Sequence, residues 1–194
     1  MTSLRFPLEP IVAIGNPLHA PDGFFSPAVM VIGWAVTVGY LAIALKKTDA
    51  QLSERMVPLM GVLAAFVFAA QMLNFPVAGG TSGHFIGGAF AAMLLGPWAA
   101  ALVMAAVVAT QAILFQDGGL VSLGVNIMNM GVVSIAVGYG AYRLCEVVGL
   151  KSMVVRAFLG AWLSVLVSAS SVAVELALSG TAPLGVALPA MAGF

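Results

Sequence analysis

Residues 56–116 form a run of 61 positions without one Asp, Glu, Lys or Arg. A helix needs ~20 apolar residues to cross ~30 Å of hydrocarbon, so this run holds about three membrane segments. The rest of the chain agrees. Hydrophobic residues make up 62% of the 194 positions and charged residues 7%, and the mean hydropathy is +1.11. A soluble domain is ~45–50% apolar and ~25% charged. Seven acidic and seven basic side chains cannot solvate a globule of this size. The balance excludes a soluble enzyme, a disordered chain and a module held to nucleic acid by basic charge. Net charge is zero, which leaves no bulk attraction for an acidic partner. The single cysteine, Cys145, excludes an internal disulfide and a cysteine-only metal cage. The pattern predicts an all-α, polytopic membrane helical bundle.

Charges and turn-formers mark the spans. The uncharged stretch 23–45 ends at Lys46-Lys47, and the long run is divided by Asn74-Phe75-Pro76, the glycine-rich residues 79–83 and Gly96-Pro97. About six segments are predicted, near 26–45, 57–73, 84–95, 97–115, 120–142 and 156–178. Residues 1–25 carry only a short apolar run at 11–14, too little for a secretory signal. Six of the seven basic residues fall in two places: Lys46, Lys47 and Arg55 between spans one and two, and Arg143, Lys151 and Arg156 between spans five and six. Lys and Arg in short loops set orientation, so both loops are predicted inside and the N-terminus outside. Segment 84–95 has twelve residues, ~18 Å of helix, and does not reach across. Irregular backbone at membrane depth is tolerated only against protein or a cavity, and short Gly/Pro-interrupted segments point to transporter binding sites.

Both histidines of the protein, His19 and His84, fall on the predicted outer face. Imidazole is a common ligand for Ni, Co, Cu and Zn, although a lone intramembrane His is more often a hydrogen-bonded core residue. His84 is predicted to open the short helix, where the positive end of the helix dipole opposes a cation. Ser82, in Gly80-Thr81-Ser82-Gly83, permits a nucleophile reading, but capping of the short helix explains it better. Glu175 is the one carboxylate inside a predicted span. It is read as snorkelling to the interface or supporting a histidine. Asn126 and Asn129 share one face of span five; they, Gln71, Asn74 and Gln111 suit interhelical hydrogen bonds as well as substrate contact. The small-residue pairs Ala35-x-x-x-Gly39 and Gly83-x-x-x-Gly87 suit tight packing or docking onto a partner subunit. No G-x-x-x-x-G-K-[ST] is present, so ATP hydrolysis by the P-loop route falls to other chains.

Three ordered blocks carry a family resemblance. Leu18-His19-Ala20-Pro21-Asp22-Gly23-Phe24-Phe25-Ser26 resembles the N-terminal Met-His-Ile-Pro-Asp-Gly-Phe-Leu-Ser signature of the CbiM/NikM family. Gly79-Gly80-Thr81-Ser82-Gly83-His84, with Gly87-Gly88 and Gly96-Pro97-Trp98, is similar to its second histidine segment. Gln116-Asp117-Gly118-Gly119-Leu120 with Gly124-Val125-Asn126 resembles a third block. The resemblance runs from about residue 18 to the end.

It implies a substrate-capture subunit of an energy-coupling-factor ABC importer for Co²⁺ or Ni²⁺ in a bacterial or archaeal plasma membrane, often beside cobalamin biosynthesis. The implied partners are a membrane coupling subunit, two ABC ATPases and a small accessory membrane subunit, with no organic cofactor. The implied metal ligands are the amine of Leu18, the amide and imidazole of His19, and the imidazole of His84. In this sequence Leu18 follows seventeen residues, so its nitrogen is an amine only if residues 1–17 are absent from the mature protein. Residues 18–194 form the expected metal-binding domain, and the family continues with a further helix. Two other readings stay open: a vitamin-binding subunit of the same transporter class, and an intramembrane serine protease using Ser82.

Overall fold

The computed structural model describes residues 19–50, 53–77 and 81–192. Helix α1 (Pro27–Asp49) starts where the Ser26 hydroxyl accepts from the Val29 amide at 3.4 Å, with Pro27 in its first turn. Then follow α2 (Met56–Gln71), a hairpin of β1 (Asn74–Val77) and β2 (Thr81–His84), the short α3 (Gly88–Leu95) and α4 (Pro97–Leu114). Helix α5 (Leu123–Val147) contains a π-helical turn at Met128–Val133. Helix α6 (Met153–Leu178) is capped by Ser152, and α7 (Leu184–Ala192) packs back against it. Four helices, α1, α4, α5 and α6, are long and apolar enough to cross a membrane, and α2 is a shorter apolar helix. The chain is a multi-pass membrane protein.

Helix α4 is the centre of the bundle. Val103, Met104, Val107 and Val108 on it are buried with Ala91 and Ala92 of α3, Leu63 and Val67 of α2, and Ile135 of α5. Helix α1 joins this core only near its C-terminal end, where Ala44 is buried in it and Tyr40 and Leu41 pack against it. Val31, Ile32, Val38 and Leu45 stay exposed, an apolar surface that lipid covers without cost. Its close contact to α5 is made by the buried Gly33 and Thr37, whose hydroxyl donates to the Gly124 carbonyl at 2.7 Å. Ala35 and Gly39 lie instead on the exposed side.

Four expectations are corrected. The short helix begins at Gly88, not at His84, because residues 81–84 pair antiparallel with β1, Asn74 opposite His84 and Phe75 opposite Gly83. Its N-cap is Gly87 at φ 86, a left-handed turn that a side chain resists, so the cap position lies five residues beyond Ser82. The objection from the helix dipole therefore loses its geometric basis, since His84 precedes the helix by four positions. Third, Arg143 and Arg156 lie within α5 and α6 rather than in the loop, tied there through Glu146, which Arg156 meets at 3.0 Å. Fourth, the bundle gains α7, a nine-residue helix broken in pattern by Gly185 and Pro189.

Candidate metal centre

The up-and-down order of the helices gathers the start of α1, the hairpin, the α4–α5 loop and the end of α6 at one end of the bundle. The basic residues Lys46, Lys47, Arg55, Arg143, Lys151 and Arg156 lie at the helix ends remote from it. Residues 19–22 form a turn that is latched along its whole length by the α4–α5 loop. The His19 amide donates to Asp117 Oδ1 at 3.2 Å. The Ala20 carbonyl accepts from the Gly119 amide at 3.1 Å and from Asn126 Nδ2 at 3.0 Å. Ser122 Oγ donates to the Pro21 carbonyl at 3.1 Å. Asp22 Oδ1 accepts from the amides of Val121 and Ser122, each at 2.9 Å. A Cβ on Gly119 would sit 1.9 Å from Asp22 Oδ1, and one on Gly118 2.7 Å from the His19 Cβ. The Asp-Gly-Gly sequence thus lets two loops touch backbone to backbone.

His19 itself is only 5% exposed. Its Nδ1 lies 3.3 Å from Asp117 Oδ2; among the described residues neither ring nitrogen has a hydrogen-bond partner. Buried polar groups are normally satisfied, and each that is not asks for an explanation. The second imidazole answers part of it. His84, at the end of β2, places its ring centroid 5.5 Å from that of His19, at 81°. Two imidazoles sharing one ion at ~2.1 Å per nitrogen have centroids roughly 4.5–6.5 Å apart, so the pair has the spacing of a shared site. His84 is held by its own backbone: its Nδ1 lies 3.1 Å from the Phe85 carbonyl, and Gln71 Nε2 donates to the Ile86 carbonyl at 2.7 Å. No three His, Cys, Asp or Glu side chains among the described residues form a ready metal cluster, and Leu18 lies outside them.

The remaining polar residues sort into separate roles. Asn126 holds the turn of His19. Asn129, one turn on, donates instead to Glu175 Oε2 at 2.7 Å, and Ser171 Oγ donates to Glu175 Oε1 at 3.1 Å. Glu175 is 7% exposed, so it neither snorkels nor supports a histidine; it is held in place by hydrogen bonds from α5 and its own helix. The carboxylate beside the histidine is Asp117, which the sequence analysis named only as part of the third family-like block. Its signal was the first charge after 61 uncharged positions, set in a glycine pair. Gln111 is fully buried, and its side-chain amide has no hydrogen-bond partner among the described residues.

Fold and site together define a multi-pass helical membrane protein with paired imidazoles at one end. A crystal structure of a truncated transition metal transporter matches it with a TM-score of 0.83 and 35% identity over 90% of this chain and 87% of that one. The chain belongs to the CbiM family, whose cobalt uptake substrate-specific transmembrane region matches residues 19–194. A Haloquadratum walsbyi protein named for metal transport is 44% identical over 84% of this chain and 73% of its own. The fused nickel transport protein NikMN of Rhodobacter capsulatus is 36% identical over 90% of this chain, which spans only 55% of that protein.

Proposed function

We propose that this chain captures Ni²⁺ or Co²⁺ at the outer face of the membrane, as the substrate-specific subunit of an energy-coupling-factor importer. The observation that carries the reading is the buried His19 imidazole, hydrogen-bonded at neither nitrogen among the described residues and beside His84. Imidazole pairs suit these borderline divalent ions, and the names of the relatives support transport rather than enzymatic work. Leu18 supplies a further nitrogen, beside the amide and imidazole of His19 and the imidazole of His84, only when its amine is freed, by initiation at residue 18 or by removal of residues 1–17. Residues 18–194 are then the metal-binding domain. ATP hydrolysis belongs to two ABC subunits acting through a membrane coupling subunit, with a small accessory subunit beside it, since the chain has no P-loop motif. Calorimetry on His84→Ala tests the site: binding of Ni²⁺ and Co²⁺ is expected to fall severely, and unchanged affinity refutes the assignment.

A further inference from the structure

We propose that Asp117 is the positioning residue of His19, fixing its ring so that Nε2, and not Nδ1, is the nitrogen offered to the ion in the chain that retains residues 1–17. The inference rests on the two-histidine reading above and names the donor atoms within it. Asp117, 8% exposed, grips His19 at two points: Oδ1 accepts from the His19 amide at 3.2 Å, and Oδ2 lies 3.3 Å from Nδ1. The carboxylate is itself fixed from behind, since the Asp117 amide donates to the Gln111 carbonyl at 3.1 Å.

Which ring nitrogen meets a metal is set by the hydrogen bond that the other one makes. A carboxylate only accepts, so the hydrogen of a neutral His19 ring belongs on Nδ1 and the lone pair on Nε2. The Nδ1 contact has the distance of N–H···O but not its alignment, so completing it takes a rotation of the ring and no approach of the two residues. An ion at Nδ1 would instead lie against the carboxylate and draw Asp117 in as a third side-chain ligand. Among the described residues no three His, Cys, Asp or Glu side chains are placed to share an ion. His84 repeats the arrangement with a different partner. Its Nδ1 lies 3.1 Å from the Phe85 carbonyl, which also only accepts, so its Nε2 is the nitrogen left for a metal. Metal-bound histidines commonly donate their second ring N–H to a carboxylate or a backbone carbonyl. This chain has one of each, on rings whose centroids are 5.5 Å apart. The same assignment accounts for the buried Nε2 of His19, which has no hydrogen-bond partner among the described residues.

The test uses the full chain loaded with Co²⁺, its histidines labelled with ¹⁵N at Nδ1 alone. The expected proton spectrum has two solvent-exchangeable N–H signals shifted by the paramagnetic ion, each split by the label. A shifted N–H signal without that splitting puts the ion on Nδ1 of its ring and overturns the proposal. Asp117→Asn keeps one acceptor where two are needed. It is expected to weaken Co²⁺ binding by roughly 10–100-fold and to move one of the two N–H signals or lose it to exchange with water, the other staying in place. Asp117→Glu, which keeps the carboxylate, is expected to recover part of the affinity. Unchanged affinity in Asp117→Asn overturns the proposal, and so does weaker binding with both signals unmoved, which leaves Asp117 holding only the backbone of His19. Should Asp117→Asn fail to fold, the splitting in the unaltered chain still decides. A single shifted signal, or unweakened binding in His19→Ala, sinks the two-histidine reading itself, a separate failure.

Discussion

The two histidine-bearing segments are built in opposite ways. His19 sits in a turn buried under the α4–α5 loop, and every residue from 19 to 22 is tied to that loop by a hydrogen bond. His84 sits at the end of a two-stranded hairpin, partly exposed, anchored near its base by Gln71 on α2. One half of the site is fixed by partners about a hundred residues away; the other is carried on a local hairpin, followed by the Ile86 carbonyl that Gln71 holds. In the proposed two-histidine site, His19 is the preorganised donor and His84 the one with more freedom left to lose. Preorganising the first donor lowers the ordering cost of binding, since fewer rotamers remain to be frozen.

The contrast predicts unequal responses to substitution. Gly119→Ala acts on the fixed half. The added Cβ collides with Asp22 Oδ1 at 1.9 Å and with the Asp22 amide nitrogen at 2.3 Å, atoms that are themselves hydrogen-bonded. The expected result is a loss of about 2–3 kcal/mol of stability from overpacking, with metal binding abolished, read by thermal unfolding and calorimetry. Gln71→Ala acts on the carried half. It strips the donor from the Ile86 carbonyl, two residues after His84, and affinity is expected to fall about 10-fold, as for outer partners of metal ligands, while the unfolding midpoint moves much less than in Gly119→Ala. Equal effects on stability from the two variants would erase the distinction between the halves. Gly39→Leu touches neither. Nothing lies within 4 Å of a Cβ there, so stability and affinity are expected to change by less than ~0.5 kcal/mol, whereas metal uptake by the assembled transporter is lost if the exposed Ala35 and Gly39 face docks the coupling subunit.

Much of the fold was legible because charge and hydropathy act over whole segments. The predicted spans at 26–45, 97–115 and 156–178 overlap α1, α4 and α6 closely, with ends displaced by a few residues. The ends moved where local chemistry outweighed composition: the Ser152 cap starts α6 before Arg156, and the ion pairs of Glu146 draw Arg143 and Arg156 into helices. The hairpin was hidden, since four-residue strands rich in Gly, Pro and Ser carry no alternating apolar pattern. It matters because it sets His84 four positions ahead of the short helix. The pairing of His19 with His84 was implied by the family resemblance, while the spans themselves gave only a shared face; the 5.5 Å separation depends on the register of that hairpin. Asp117 was illegible for a different reason. Its contact with His19 spans 98 positions, and nothing local distinguishes a turn carboxylate facing water from one folded under. Asn126 and Asn129 share a helix face as expected, yet they part company because Glu175 reaches one and the carbonyl of Ala20 the other.

The central claim is that His19 and His84 hold one ion between them. A double-mutant cycle of His19→Ala and His84→Ala, with affinity and stoichiometry for Ni²⁺ and Co²⁺ measured by calorimetry, tests it most directly. Residues acting on one ligand are strongly non-additive. The expected result is one ion per chain in the unaltered protein, severe loss in each single variant, and a double variant little worse than either. Losses that simply add, or a second ion retained when one histidine is removed, would mean that the two imidazoles serve separate sites.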